Sequence, residues 1–301
     1  MSTTTEPGAG VTISSGPLDA TFLPQLGMLG SSLRHRGEDL LALPGGLDGY
    51  RAGRVTGLPL LAPWANRLGS RRYEAGGVVV DLDGLDLTTD EHGLPIHGTM
   101  TARPGWDVSV PSEDSLTATF DFGAHPDLLS SFPFPHELRI EATVDAATLR
   151  VDTTLVPTGD RPVPISFGYH PYLCLPGERR EDVRLRLPKR RHLQLDDRQL
   201  PTGRADAEPA EDEPLGGRAF DDLYELGDDR RLALTGGPRR IVLELGDGYH
   251  HAQVFTPPGS ESVCLEPMTA PVNALVDGGC ALASPGTSFT ARFSLHVDDA
   301  A

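Results

Sequence analysis

The chain has 301 residues and a formal net charge of −17, with 43 acidic side chains against 26 basic ones. A surface with this charge repels nucleic acid and anionic membranes, so we expect neither as a partner. The length is sufficient to bury a large core without disulfides or metals, and it fits one large all-β domain as well as two smaller domains.

The three cysteines, Cys174, Cys264 and Cys280, provide neither a disulfide framework nor a zinc-binding spacing. This low count fits a reducing compartment. The first ten residues lack the basic start and apolar run of a secretory signal. No stretch reaches the roughly 18 apolar residues of a membrane span. We therefore expect a cytoplasmic protein, in which residues 1–12 are loosely held.

Short runs of alternating apolar and polar residues recur along the sequence, whereas long helical periodicity is scarce. A period of two is typical of antiparallel strands with one buried face and one wetted face. The main predicted strands, in chain order, are residues 115–122, 138–144, 148–156, 240–245, 252–256, 262–266 and 288–297. The 34 glycines and 27 prolines are spread along the chain, which indicates many turns. The pattern predicts an all-β fold, either a β-sandwich or a barrel.

Two charged segments differ from this pattern. Residues 177–191 are rich in charges of both signs, and residues 205–214 (ADAEPAEDEP) are acidic and contain two prolines. We expect 205–214 to form a solvated loop. Neither segment marks a clear domain boundary, and no repeat has a recognisable period. We therefore expect a single domain over residues 1–301.

Four segments place polar residues beside turn residues, where strands are expected to end. In the first, PWANRLG, Arg67 offers five fixed donors that suit hydroxyls or a carboxylate. A lone arginine is also common in surface ion pairs. In the second segment, LPIHG, His97 is either a ligand-binding side chain or a core histidine. Trp106 follows downstream and either stacks on a ligand ring or fills the core.

The third segment, SFGYHPYL, contains His170 followed by proline, and proline favours extended backbone at the residue before it. We therefore expect His170 at a strand end, flanked by aromatic residues that include Tyr172. A histidine with an ordinary pKa of about 6.5 donates or accepts a proton near neutral pH. The alternative is a structural histidine.

The fourth segment, SVCLEPM, predicts a strand with Val263 and Leu265 on its apolar face. Glu266 has the opposite parity and is followed by proline. A carboxylate that ends a strand in this way is a candidate general base, although a surface carboxylate is the alternative.

Metal and cofactor chemistry is a weaker interpretation of these residues. The spacings between His97, His170 and Glu266 are long for a zinc site, and the sequence has no HExxH helix. It also lacks the GxSxG, GxGxxG and GxxxxGKS/T motifs of serine hydrolases and nucleotide-binding loops. We expect neither a metal nor an organic cofactor.

Taken in order, these segments resemble the aldose 1-epimerase (galactose mutarotase) family. NRLGSRRYEAGG is similar to the family's Asn-Arg turn. IHG, followed later by a tryptophan, is similar to the family's first histidine segment. SFGYHPYL is similar to its HPYF-type segment, and CLEPMTAPVNAL to its glutamate strand. FDDLYEL is similar to its sugar-contacting Asp-x-x-aromatic motif. The resemblance extends from about Gly27 to the C-terminus and implies a large antiparallel β-sandwich.

The family's reaction interconverts the α and β anomers of a free hexose by opening and reclosing the sugar ring. The resemblance implies Glu266 as the base that takes the C1 hydroxyl proton, and His170 as the acid that protonates the ring oxygen. We expect these two side chains to face each other across a cleft about one pyranose wide. The substrate-binding residues that it implies are Arg67, His97, Asp221, Gln253, Trp106 and Tyr172.

The identity of the substrate stays open at this point. FDDLYEL carries an aspartate where galactose-specific members usually have a histidine. A hexose-6-phosphate mutarotase is a second interpretation, in which Arg71 and Arg72, or residues 179–191, would bind the phosphate. A carbohydrate-binding protein without turnover is a third, although binding alone does not require an acid–base pair. The expected partner is a small sugar, and the sequence is compatible with a monomer or a homodimer.

Overall fold

The computed structural model of the protein describes residues 10–299. The strands are β1 (Val11–Ser15), β2 (Leu18–Leu23), β3 (Leu29–His35), β4 (Glu38–Asp39), β5 (Leu60–Leu61), β6 (Arg72–Ala75), β7 (Val78–Asp81), β8 (Asp107–Ser112), β9 (Ser115–Asp121), β10 (His136–Asp145), β11 (Thr148–Pro157), β12 (Val163–Ile165), β13 (Gly168–Tyr169), β14 (Tyr172–Leu173), β15 (Arg184–Leu187), β16 (Arg190–Leu195), β17 (Pro201–Glu208), β18 (Glu211–Pro214), β19 (Asp221–Leu226), β20 (Arg231–Gly236), β21 (Arg239–Leu245), β22 (His251–Phe255), β23 (Val263–Met268), β24 (Ala281–Ala283) and β25 (Phe289–Asp299).

Helical structure is short and peripheral. The α-helices are α1 (Gly46–Arg51), α2 (Pro126–Leu129) and α3 (Ala274–Asp277), and 3-10 turns occur at Pro24–Leu26, Phe122–Ala124 and Arg180–Asp182. Within residues 10–299, no helix has the length and apolar character needed to cross a bilayer.

Two large antiparallel sheets form the body of the fold. One has the strand order β18-β15-β20-β21-β25-β11-β10-β9-β8, and the other has the order β17-β16-β19-β22-β23-β13-β5, with β14 also paired to β23. A smaller sheet, β1-β2-β3-β4, and the pairs β6-β7 and β12-β24 complete the described sheets. The all-β prediction is confirmed.

The inner faces of the two large sheets share one hydrophobic core. Tyr169 of β13 packs against Phe293 of β25, with ring centroids 5.0 Å apart. Its hydroxyl lies 2.8 Å from the Thr153 hydroxyl on β11, so this buried polar group is paired across the sandwich. Alternating residues of both sheets are buried in the same cluster. This sheet-on-sheet packing is the antiparallel sandwich that the period of two predicts.

The predicted strands agree closely with the observed ones. All seven correspond to strands of the two large sheets, namely β9, β10, β11, β21, β22, β23 and β25, with ends that differ by no more than two residues.

The sequence also predicted that residues 1–12 are loosely held. Residues 1–9 lie outside the described residues, and Val11 already begins strand β1, paired with Phe22 of β2.

The prediction of a solvated loop over residues 205–214 is wrong. Residues 205–208 belong to β17, which pairs with β16, and residues 211–214 form β18, which pairs with β15. The acidic side chains meet the arginines of residues 177–191: Arg184 Nε lies 3.2 Å from an Asp212 oxygen, and Arg190 Nη2 lies 2.7 Å from Glu208. This cross-strand charge pairing replaces the apolar alternation that normally identifies a strand.

Buried His136 predicts an acid-sensitive contribution to stability. Its Nδ1 lies 2.7 Å from the Phe134 carbonyl oxygen, and its ring stacks on Phe122. Burial lowers the pKa of His136 from 6.5 to about 4. Between these values the unfolded chain binds the proton and the folded chain does not, so stability falls as pH decreases from 6.5 to 4, by about 3 kcal/mol for this group.

Chemical unfolding at pH 6.5 and pH 4 tests this contribution. We expect the His136→Gln variant to lose about 3 kcal/mol less than the wild type over this interval. His92→Gln, at an exposed position, serves as the control and should follow the wild type. Identical pH dependence in the wild type and His136→Gln would contradict the prediction.

Candidate active site

Arg67 lies in a loop that two asparagines with left-handed backbone hold in place. Asn66 precedes it in the chain, and Asn273 contacts it from another loop. Asn66 has φ 58° and Asn273 has φ 66°. The Asn273 backbone N–H donates to the Arg67 carbonyl oxygen at 3.0 Å, and the Gly69 N–H donates to the Asn273 side-chain oxygen at 2.6 Å. Asparagine tolerates this backbone region better than most residues. The loop therefore holds Arg67 beside the large sheet that contains β23.

Two groups hydrogen-bond to the Arg67 guanidinium, and Asp221 lies close to it. Nε donates to Asp90 Oδ2 at 2.9 Å, and Nη1 donates to Asn66 Oδ1 at 3.1 Å. Nη2 lies 3.6 Å from Asp221 Oδ2. Asp90 was not among the predicted site residues. A signal for it was present in the acidic turn TTDEHGLP, but sequence spacing does not show which arginine meets which carboxylate.

His97 enters the site through an unusual backbone conformation. Its φ is 64°, and its N–H donates to the Asn66 carbonyl oxygen at 3.0 Å. The imidazole stands edge-on to the ring of His170, with centroids 5.5 Å apart and planes at 86°. Burial, reinforced by His170 and Arg67, lowers the pKa of His97 well below 6.5, so its ring is neutral near pH 7. Left-handed backbone in a residue other than glycine is often found at functional sites.

His170 lies between β13 and β14, at a strand end as expected. Its ring stacks on Tyr172, with centroids 4.7 Å apart and planes at 13°. His170 Nε2 lies 3.1 Å from Glu266 Oε1. The side chains are only 6% and 2% exposed, so the contact is shielded from bulk water.

Glu266 projects from β23, the strand in which Val263 and Leu265 belong to the main core. The predicted parity is therefore confirmed, and Glu266 lies on the opposite face, directly across from Gln253 of β22. The structure differs from the expected pyranose-wide cleft between Glu266 and His170, because their nearest atoms are in contact. The C1 hydroxyl oxygen and the ring oxygen of a pyranose are bonded to the same carbon. Two side chains in contact with each other can therefore reach both oxygens.

The buried environment changes the acidity of both groups. Burial, with a smaller contribution from Asp221, raises the pKa of Glu266 well above 4.5, against the opposing charge of Arg67. Burial lowers the pKa of His170 to about 3, and the positive charge of Arg67 acts in the same direction. Both directions follow from the cost of placing an isolated charge away from water. The pair therefore carries one proton between the low pKa of His170 and the raised pKa of Glu266.

Asp221 and Gln253 form the neighbouring part of the site. Gln253 Nε2 donates to Asp221 Oδ1 at 2.7 Å, which orients the amide. Burial raises the pKa of Asp221, although Arg67 and Gln253 oppose this rise. The Asp221 side chain is 29% exposed, against 2% for Glu266, so the site reaches solvent on the Asp221 side.

Several buried polar atoms in this region have no hydrogen-bond partner within residues 10–299. They are Gln253 Oε1, Glu266 Oε2, His97 Nδ1 and His170 Nδ1. Buried polar atoms in native proteins are normally paired, so a group of unpaired ones indicates a place for a polar ligand or water.

The structure brings together seven of the eight predicted site residues. Trp106 is the exception: it lies in the hydrophobic core against Phe120, with ring centroids 5.3 Å apart. This is the core-filling alternative. No three His, Cys, Asp or Glu side chains are arranged to hold a metal ion anywhere in the described range.

The sequence model of the aldose 1-epimerase family matches residues 25–296. The chain belongs to the aldose 1-epimerase family. The match contains all the residues of the site described above. No curated protein matches the chain.

Solved structures of this family share the fold of the chain. A galactose mutarotase-like protein from Clostridium acetobutylicum superposes with a TM-score of 0.86 at 19% identity, covering 97% of this chain and 96% of that one. An aldose epimerase homologue from C. elegans gives 0.82 at 15% identity, with 98% and 100% covered. Galactose 1-epimerase from Lactobacillus acidophilus gives 0.78 at 14% identity, with 97% and 95% covered.

Gly98 fixes the backbone that presents His97 in this aldose 1-epimerase family member. Its φ is +67°, and a Cβ there would lie 2.1 Å from the Ala62 carbonyl oxygen. We predict that Gly98→Ala lowers the free energy of unfolding by about 3 kcal/mol or more, because steric overlap with backbone adds to left-handed strain.

Gly93→Ala is the matched control for this substitution. Gly93 also has a left-handed φ, +75°, but a Cβ there would meet no atom within 4 Å. We expect a loss of about 1 kcal/mol from backbone strain alone. Denaturant unfolding of both variants measures the difference, and equal losses would show that contact with Ala62 does not restrict Gly98.

Proposed function

We propose that this protein is a mutarotase, which interconverts the α and β anomers of a free aldose by acid–base opening and closure of the ring. Glu266 acts as the base toward the C1 hydroxyl, and His170 acts as the acid toward the ring oxygen. The observation that supports this assignment is the shielded contact of 3.1 Å between Glu266 Oε1 and His170 Nε2.

The reaction requires two proton transfers at oxygens that share one carbon. The base removes the C1 hydroxyl proton while the acid protonates the ring oxygen, and the C1–O5 bond breaks to give the open aldehyde. Rotation about C1–C2 exposes the other face of the carbonyl, and ring closure returns both protons. The acid and base exchange roles in the closing step, so a pair that carries a single proton is sufficient.

The position of that proton depends on the bound sugar. Burial alone favours the form in which the Glu266 carboxyl is neutral and His170 is neutral. Sugar hydroxyls that donate to the carboxylate favour the form in which Glu266 is ionised and His170 carries the proton. The positive charge of Arg67 favours the ionised Glu266 but opposes the proton on His170. Substrate binding would thus prepare the pair for the opening step.

The surrounding side chains suit a polyhydroxylated ligand. Gln253 offers an unpaired acceptor oxygen, and Asp221 offers acceptors on the solvent side of the site. The Arg67 guanidinium directs Nη2 toward Asp221 and supplies donors for sugar oxygens. His97 would orient the sugar from beside His170. Tyr172 would act indirectly, by stacking on the His170 ring.

Of the arginines that could bind a phosphate, Arg72 is exposed on β6 and has no carboxylate partner within residues 10–299, whereas the following ones are already engaged. Arg71 donates to two backbone carbonyl oxygens and lies 3.3 Å from Asp83. Within residues 177–191, Arg184, Arg186 and Arg190 each pair with a carboxylate. These contacts support a free sugar over a hexose 6-phosphate, which would need a cluster of unpaired basic side chains rather than isolated ones.

A binding protein without turnover explains the site less well. Burying a carboxylate against an imidazole is costly when neither has other strong partners, and recognition of hydroxyls does not require this pair.

We further propose that the protein acts in the cytoplasm, as a single domain over residues 1–301, in a monomer or a homodimer.

Polarimetry tests the proposed reaction directly. Freshly dissolved α-glucose or α-galactose should reach anomeric equilibrium faster with this protein than in buffer. Glu266→Gln and His170→Asn should each reduce the rate by on the order of 10²–10⁴-fold, because each removes one proton-transfer group.

The same assay distinguishes the alternatives. Glucose 6-phosphate should be accelerated less than glucose, and the reverse order would favour a phosphosugar mutarotase. Circular dichroism and thermal unfolding of the variants establish that they remain folded. Full activity in both variants would contradict the assigned roles, and sugar binding without exchange by saturation-transfer NMR would favour a binding protein.

The pKa directions predict the pH dependence of kcat/KM after subtraction of the uncatalysed rate. Activity requires one proton on the pair. Because burial lowers the pKa of His170 to about 3, we expect the acid limb well below the ordinary histidine value. The alkaline limb reports loss of the remaining proton and should lie well above the ordinary pKa of glutamate, 4.5. An acid limb near pH 6.5 would show that His170 is not buried in the active enzyme.

A further inference from the structure

Asp90 is a buried carboxylate that the roles proposed above do not use. Its side chain is 2% exposed and faces the Arg67 side chain, which is 10% exposed. Oδ2 accepts from Arg67 Nε at 2.9 Å. Oδ1 accepts from the backbone N–H groups of His92 and Leu94, each at 2.9 Å. One carboxylate thus connects the arginine to the turn of residues 90–94.

This arrangement determines which Arg67 donors remain for a ligand. Nε is used by Asp90 and one Nη1 hydrogen by Asn66. A guanidinium has five N–H donors in a rigid plane. Fixing Nε and Nη1 therefore fixes the direction of the remaining donors, and Nη2 lies on the side of Asp221.

The charge of Asp90 matters as well as its oxygen atoms. Arg67 lies near His97 and His170, and its charge lowers the pKa of both. An arginine side chain that is 10% exposed needs a close counter-charge, since an unpaired buried charge is costly. Asp221 is 3.6 Å away, beyond hydrogen-bond distance, and is partly exposed. Asp90 is thus the carboxylate in direct hydrogen-bond contact with the guanidinium.

We propose that Asp90 is a positioning residue, which holds the Arg67 guanidinium in the plane that presents Nη2 to the sugar. Asp90 itself does not touch the sugar and acts through Arg67. The turn of residues 90–94 is the support that holds Asp90 in place. This inference rests on the proposed function only for its effect on the rate, because the hold on Arg67 is a property of the free protein.

Nuclear magnetic resonance of the free, ¹⁵N-labelled protein tests the hold without reference to activity. The Arg67 Nε–H signal, assigned through its loss in Arg67→Lys, should be protected from exchange with water in the wild type. Protection should be lost in Asp90→Ala and retained in Gly93→Ala, which strains the same turn without removing the carboxylate. Protection that persists in Asp90→Ala would overturn the proposal.

A double-mutant cycle tests the effect on catalysis. Asp90→Ala should lower kcat/KM for mutarotation by on the order of 10²-fold, as expected for a misplaced binding group. In an Arg67→Ala background the same substitution should have little further effect, because its only target is gone. Gly93→Ala should lower kcat/KM much less than Asp90→Ala does.

The outcomes separate this inference from the proposed function. Additive losses in the cycle, or an equal loss in Gly93→Ala, would overturn the positioning role and leave the mutarotase assignment intact. A wild type that does not accelerate anomer exchange would refute the mutarotase assignment, and the protection of Nε–H would still decide whether Asp90 holds Arg67.

Discussion

The outer face of strand β23 is buried as completely as its inner face, and the organisation of the site depends on this constraint. All six residues of the strand are buried. Leu265 faces the core between the sheets, whereas Glu266 faces the loops that contain Arg67, His97 and His170. A carboxylate in this position is removed from water without being part of the apolar core. The raised pKa of Glu266 follows from the fold, because the sheet covers the carboxyl on one side and the loops cover it on the other.

The loops that cover Glu266 are held by backbone geometry as well as by apolar packing. Asn66, His97 and Asn273 all have left-handed φ, and Gly98 lies against the Ala62 carbonyl group. Hydrogen bonds between these segments connect residues that are distant in sequence, such as Gly69 and Asn273. Three of the eight non-glycine residues with left-handed φ within residues 10–299 thus lie in these loops, and functional sites are a common location of such conformations.

The sequence predicted the sandwich and most of the site for identifiable reasons. Strands such as β10 and β11 have one apolar face, and that alternation is visible in the sequence. The alternation within SVCLE placed Glu266 on the correct face of β23, and the family resemblance supplied the roles of the other site residues. Strands β17 and β18 were missed because both of their faces are polar, and Asp90 was missed because its partner Arg67 is 23 residues away. The core position of Trp106 depends on tertiary packing, which local pattern does not encode.

The polar strands β17 and β18 affect how copies of this chain meet. They are edge strands of the two large sheets, and they lie close together, since Arg190 contacts both Glu208 of β17 and Glu211 of β18. An exposed strand edge normally invites another chain to extend the sheet. Here β18 consists of Glu211, Asp212, Glu213 and Pro214, so two such edges brought together would place carboxylates opposite carboxylates. Edge-to-edge pairing of two β18 strands is therefore disfavoured, which protects this edge against extension of the sheet by a second copy.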